Sequence, residues 1–180
     1  ARSVVKNDKE LLDLAECVVA LDGATRAPLP PLSAPLPVLA DCDVFVAGGG
    51  TGGGPAALGA ARGGAKTIVA EYQAIFGGVS TEGRIGSYSS YDTLRSGFAQ
   101  NYDKETRRLG PCYLHARNTY VTRGVEEKGG LAWLGTLVCG ATTANGRLTG
   151  AIVVLPDGTR GLVRCEAAVD ATGNSDLAAA

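Results

Sequence analysis

The sequence predicts an α/β fold in which a parallel sheet is followed by a three-stranded antiparallel meander. Three observations carry this. Asp43 to Glu71 reads as strand, glycine turn, helix and strand in under 30 residues, the length of one βαβ unit. Asn145-Gly146 and Asp157-Gly158 are hairpin turn signals set between apolar segments. Ala167 to Ala171 is a last apolar strand, and it runs straight into Thr172-Gly173.

Taken in chain order, residues 1 to 41 read as an N-terminal extension and a proline-rich linker, and residues 42 to 180 as the folded domain. The extension holds one short apolar run, Cys17 to Leu21, closed by the turn signal Asp22-Gly23. Five of the eight prolines then crowd into PLPPLSAPLP, Pro28 to Pro37, which cannot join a helix or a central strand and reads as an extended, semi-rigid connector. Asp43 to Ala47 is almost wholly apolar, as a parallel strand covered on both faces must be. Pro55 to Arg62 is a helix rich in alanine and leucine, stopped by Gly63-Gly64, and Lys66 to Ala70 is the second strand.

Gln73 to Gly97 reads as loop, and Tyr102 to Arg108 as a weak helical patch. Tyr113 to Lys128 places Leu114, Val121 and Val125 on one side of a helix that Gly129-Gly130 stops. Leu131 to Leu137 is the next strand. Val138 to Ala144, Leu148 to Leu155 and Gly161 to Cys165 form the meander, about 138 to 165.

Composition narrows the function. With 45% hydrophobic and 19% charged residues and a formal charge of -1, the chain has an ordinary globular make-up and no basic field for a phosphate backbone. Nucleic acid is excluded as a partner on that ground. No apolar run approaches the roughly 20 residues of a membrane span, and the first twenty residues carry charges throughout, so the expected location is the cytoplasm, with no membrane partner. The five cysteines, Cys17, Cys42, Cys112, Cys139 and Cys165, are scattered without metal-ligand spacing and read as reduced thiols. No metal site is expected. Methionine is absent, and the chain is expected to be a processed or split product or a piece of a longer polypeptide.

The chemistry concentrates in VFVAGGGTGGGPAALGAARGG, which holds Gly48-x-Gly50-x-x-Gly53 between a strand and a helix, the context in which that pattern has meaning. Gly48 permits the tight turn, Gly50 lets the backbone approach a pyrophosphate, and Gly53 lets the helix lie close to the strand. Thr51 and Gly52 complete the turn. An anion placed there meets free N–H groups and the positive end of the helix dipole. Glu71, 23 residues past Gly48 at the end of the second strand, stands where a ribose hydroxyl pair is accepted, with Tyr72 beside it. This is a Rossmann-type dinucleotide turn, and alone it does not choose between nicotinamide and flavin dinucleotides.

Two further segments bear on that choice. Glu71-Tyr72-Gln73-Ala74-Ile75-Phe76-Gly77-Gly78-Val79-Ser80-Thr81 resembles the segment that, in FAD-dependent oxidoreductases of the glutathione-reductase-like fold, follows the ribose acid and passes beneath pyrophosphate and flavin. Val169 to Ala178, VDATGNSDLA, is similar to the strand and turn that return to the FAD in the same class. The resemblance covers roughly Cys42 to Ala178. It implies a Rossmann-type FAD-binding domain in which a small antiparallel β-meander is inserted before the returning strand, with FAD as cofactor and hydride or electron transfer from a small-molecule substrate as the activity. Carried over residue by residue, it brings Gly77, Gly78, Ser80 and Thr81 to the phosphates or flavin edge, the Val138 backbone to adenine, and Ala171, Thr172, Gly173 and Asp176 to the returning turn. It also implies a downstream segment that completes the flavin and substrate pocket, so the domain is incomplete without a second polypeptide segment or subunit.

The remaining candidates stay open. Arg84 is read either as neutralising pyrophosphate or an acidic substrate, or as a solvated loop arginine. Tyr88 and Tyr91 either face the isoalloxazine or pack as loop aromatics. His115, the single histidine, sits in a surface helix rather than at a catalytic position. No residue stands out as a catalytic base. The alternatives to an FAD-dependent enzyme are an NAD(P)-dependent dehydrogenase domain and a non-catalytic FAD-binding or assembly subunit.

Overall fold

Strand β1 (Val38–Ala47) is the centre of the structure. Its last three residues, Phe45, Val46 and Ala47, are fully buried because both faces of the strand are covered. Side chains alternate across a strand, so Phe45 and Ala47 join one apolar cluster and Val46 joins the other. The computed structural model describes residues 35–85, 97–109 and 113–180, and Leu36–Ala180 forms one compact unit. The proline-rich segment up to Ala34, Tyr88, Tyr91, Cys17 and Cys112 lie outside the described residues.

After β1 come α1 (Gly53–Arg62), β2 (Thr67–Ala70), a 3-10 turn (Gly78–Ser80), α2 (Gly97–Arg108), α3 (Tyr113–Glu126), β3 (Leu131–Trp133), β4 (Leu137–Ala144), β5 (Arg147–Val154) and β6 (Arg160–Asp170). The six strands form one sheet in the order β3-β2-β1-β6-β5-β4, parallel from β3 to β6 and antiparallel from β6 to β4. Leu58 of α1, with Val121 and Val125 of α3, covers one face together with Val46 and Val69. On the other face Phe45 and Ile68 pack with Val138 of β4 and Ala151 and Val153 of β5. The antiparallel end therefore curls over the side that the helices leave bare.

Four elements differ from their predicted limits by more than two residues, and the first is α2, which starts at Gly97, not Tyr102. β1 starts at Val38, not Asp43, because its first residues pair with β6, from Val38 opposite Leu162 to Cys42 opposite Cys165. The strand predicted over Leu131 to Leu137 ends at Trp133. Gly135 adopts φ +64°, and the N–H groups of Gly135 and Thr136 turn to the carbonyls of Gln73 and Glu71 at 3.0 and 2.9 Å. The third meander strand and the returning strand, read separately, are one continuous β6. Nothing between Cys165 and Ala167 turns the chain, and pairing with β1 continues through both, from Cys42 with Cys165 to Val44 with Ala167. The hairpins stand where expected: Asn145 and Gly146 both take positive φ, +52° and +74°, as a tight two-residue turn requires.

The register of the parallel strands positions everything that follows. Ala47 stands opposite both Ala70 of β2 and Asp170 of β6, so three strands end side by side at one edge. Gly48, Glu71 and Ala171 emerge there together, where the chain order reverses about β1. Cys42 and Cys165 sit as free, buried thiols far down the same strands, and burial, aided by Cys165, pushes the Cys42 thiol up to about 12. Among the described residues no helix is long and apolar enough to cross a membrane, and no cluster of His, Cys, Asp or Glu could hold a metal ion.

Candidate functional site

The chain leaves β1 through a turn that side chains cannot enter. Gly48, at φ +85°, donates its N–H to the Ala70 carbonyl at 2.8 Å, and a Cβ on it would lie 2.7 Å from the Ala171 carbonyl oxygen. Gly53 opens α1 so close to the turn that a Cβ there would run into the Gly48 carbonyl oxygen. Gly50 is different: a Cβ would meet nothing nearer than the Gly78 Cα at 3.9 Å and would project into open space. No side chain caps α1 at Gly52 and no acidic residue lies in its first turn. Pro55 carries no N–H, and those of Gly54 and Ala56 bond to the Gly50 and Gly52 carbonyls at 3.1 Å each, so α1 offers an anion its positive dipole end and the Gly53 N–H.

Glu71 is 3% exposed, yet its carboxylate is well satisfied. Oε2 accepts the Gly49 N–H at 2.8 Å and Oε1 the Gln73 N–H at 2.9 Å. Its own N–H and carbonyl bond to Trp133 and Thr136 at 2.8 and 2.9 Å. One residue therefore fastens the glycine turn, the end of β2 and the link into β4. Each carboxylate oxygen keeps a further lone-pair direction for a ligand hydroxyl.

Residues 76 to 83 pass beneath the turn. The Gly77 N–H bonds to the Gly49 carbonyl at 2.9 Å, and the Gly77 carbonyl accepts the Thr51 hydroxyl at 3.3 Å. Ser80 and Thr81 are buried, their hydroxyls spent on Gly77 and on Phe76 and Gly78. They shape this segment from within.

On the third side, Asp170 closes the turn after β6. Its Oδ1 accepts the Thr172 N–H and hydroxyl at 3.0 and 2.7 Å, and its Oδ2 accepts the Leu177 and Ala178 N–H groups at 3.1 and 2.7 Å. Thr172 Oγ1 in turn accepts the Asp176 N–H at 2.7 Å. Desolvation raises the Asp170 carboxyl, but the bonds from Thr172, Ala178 and Leu177 outweigh it and hold the group below its ordinary 3.8. A depressed pKa contributes stability that is present above the unfolded value and lost as pH falls through the folded one. Asp170→Asn is accordingly expected to lower stability by about 2 kcal/mol at pH 7. Urea melts should show the gap to wild type shrinking once the pH drops below 3.8.

These pieces enclose a cleft of about 680 Å³. Of the sequence-predicted residues, Gly48, Gly50, Thr51, Glu71, Tyr72, Gly78, Val138, Ala171, Thr172, Gly173 and Asp176 line it. Gly52, Gly53, Gly77, Ser80, Thr81 and Arg84 do not; Arg84 is exposed, with φ +53°. His115 is exposed on α3, away from this lining. The sequence reading missed Ala70, Gln73, Val79, Gly83, Thr136, Leu137 and Asn174. Three large side chains in the lining stand open to solvent, Tyr72 at 67%, Leu137 at 50% and Val79 at 49%, which suits the cleft to an apolar ring system beside an anion.

A family model described as FAD dependent oxidoreductase matches residues 43–180. The chain belongs to that family. Its cofactor is FAD, and the fold is the Rossmann-type FAD-binding domain. The myxobacterial chondrochloren halogenase, an FAD-dependent halogenase, is similar in structure over 77% of this chain and 38% of its own, with TM-score 0.56 and 19% identity. A geranylgeranyl bacteriochlorophyll reductase-like protein from Thermoplasma acidophilum matches over 74% and 39%, with TM-score 0.53 and 22% identity. The glycerol-3-phosphate dehydrogenase from Bacillus halodurans, complexed with FAD, matches over 73% and 34%, with TM-score 0.53 and 16% identity. The chain thus spans less than half the length of each. No curated protein matches it. The residues present fit the cofactor: Gly50 leaves a space that a Cβ would fill, α1 is uncapped, and Glu71 presents a carboxylate to the same cleft.

Proposed function

We propose that this chain forms the FAD-holding part of an oxidoreductase that takes hydride or electrons from a small-molecule substrate. The observation that carries this is the convergence of the Gly48–Gly53 turn, Glu71 and the Asp170–Asp176 turn on one cleft at the ends of β1, β2 and β6. Gly48, Gly50, Thr51 and the N-terminus of α1, with Gly52 and Gly53, hold the pyrophosphate; Glu71 accepts from the ribose hydroxyls, and Tyr72 and the Val138 backbone flank adenine. Gly78 lines the floor of the site with Gly77, Ser80 and Thr81 supporting it from beneath, and Ala171, Thr172, Gly173 and Asp176 form its far wall. Arg84, exposed and next in sequence to Gly83 of the lining, is the candidate for neutralising pyrophosphate or an acidic substrate. FAD supplies the redox chemistry when bound; the chain binds and orients it.

In this reading a second polypeptide segment or subunit completes the flavin and substrate pocket. The test is titration of the full chain with FAD, followed by visible absorption and fluorescence. Expected are saturable binding and a protein-bound flavin spectrum, weak in the isolated chain. Tight binding of a nicotinamide dinucleotide in place of FAD would support the dehydrogenase reading instead.

A further inference from the structure

Two neighbouring residues of α3 reach the segment beneath the glycine turn. Asn118 Oδ1 accepts the Phe76 N–H at 2.9 Å, and Arg117 Nη1 donates to Ser80 Oγ at 2.6 Å. Arg117 is 4% and Ser80 1% exposed. The guanidinium also stacks toward Tyr102 of α2, 5.7 Å from its ring centre, so the side chain is clamped between two helices and the segment.

The direction of these bonds is forced. A guanidinium only donates, so Ser80 Oγ must accept from it and spend its own proton elsewhere. That proton goes to the Gly77 carbonyl at 2.8 Å. The same carbonyl accepts the Thr51 hydroxyl, and the Gly77 N–H returns to the Gly49 carbonyl. The chain of bonds therefore runs from a buried cation on α3 through Ser80 and Gly77 into both halves of the dinucleotide turn. Chains of this kind polarise and stiffen one another.

Resting on the cofactor reading above, we infer that Arg117 is a positioning residue for FAD: through Ser80 it fixes the orientation of Gly77 and hence the turn that receives the pyrophosphate. Lysine in its place also only donates; glutamine can accept as well and leaves the Ser80 proton undirected.

The experiment measures FAD affinity of the full chain by fluorescence titration, with thermal melting alongside. R117M, R117Q and S80A should each weaken FAD about tenfold, whereas R117K stays within about threefold. The R117M/S80A double variant should also lose about tenfold, not a hundredfold, because both changes cut one chain of bonds. R62M, which removes a different α3 contact, Arg62 to the Tyr120 hydroxyl at 2.7 Å, should keep wild-type affinity. S80A carries the test if R117M does not fold. Wild-type affinity in S80A, additive losses in the double variant, or equal losses in R117K and R117Q overturn the inference. Failure of the unsubstituted chain to bind FAD overturns the cofactor reading, and the inference with it.

Discussion

Replacing Gly50 with valine should leave the chain folded and abolish FAD retention. The backbone at Gly50 needs no positive φ, and an added Cβ meets only the Gly78 Cα, at the ordinary contact distance of 3.9 Å. The folded state consequently has no reason to reject the side chain, and the melting temperature without FAD should stay within about 2 °C of wild type. The methyl groups instead enter the cleft at the point where the turn must come closest to a pyrophosphate. A fixed steric block there should weaken FAD by about a hundredfold or more, roughly 2.7 kcal/mol. Fluorescence titration and melting read the two quantities separately. A valine variant that still retained FAD would mean that the cofactor does not lie across this turn.

Much of this site was legible because its signals are local. Strand, glycine turn, helix and second strand each declare themselves within a few residues, and parallel pairing then brings Gly48, Glu71 and Ala171 to one edge without further information. Asn145-Gly146 likewise names its own turn. What escaped the sequence depends on distant partners. The continuity of β6 comes from pairing with β1 more than a hundred residues earlier, so two apolar runs separated by Glu166 read as two strands. Thr136 and Leu137 enter the cleft because the link after β3 bonds back to Gln73 and Glu71. Arg117 and Asn118 carry no mark in sequence that separates them from any polar pair on a helix; only packing shows that they face the Gly77 segment and not water.

The same distinction explains why the glycine pattern alone could not name the cofactor. Its geometry serves any dinucleotide pyrophosphate, and the choice of flavin rests on segments 71–81 and 169–178, which fold onto two other sides of the cleft. Ser80 and Thr81 show the limit of transferring a motif by resemblance. Their hydroxyls bond inward to the Gly77, Phe76 and Gly78 carbonyls, so the polarity that suggests a ligand contact is spent on the loop's own backbone. Asp170, by contrast, looked like the end of a strand and proves to organise the whole returning turn through four accepted bonds.

Gly53→Ala should behave in the opposite way to the Gly50 variant. The added Cβ would overlap the Gly48 carbonyl oxygen and lie 3.0 Å from the Ala171 Cβ, and neither neighbour is a flexible side chain that can swing aside. Relief requires α1 to lift from the sheet or the turn to open. Lifting α1 would disturb Ala57 and Leu58, both fully buried and packed with Val46, Val69, Val121 and Val125. Opening the turn would strain Gly48, already at φ +85° and wedged against Ala171. Either response is overpacking against backbone and should cost about 3 kcal/mol. For a domain of this size that corresponds to a fall of roughly 10 °C in melting temperature. FAD affinity should fall with it, since the displaced residues form the cradle itself. A Gly53→Ala chain that melts like wild type would show that α1 does not pack against the turn as described, whereas loss of binding with loss of stability here, set against loss of binding alone at Gly50, would separate the glycine that admits the helix from the glycine that admits the cofactor.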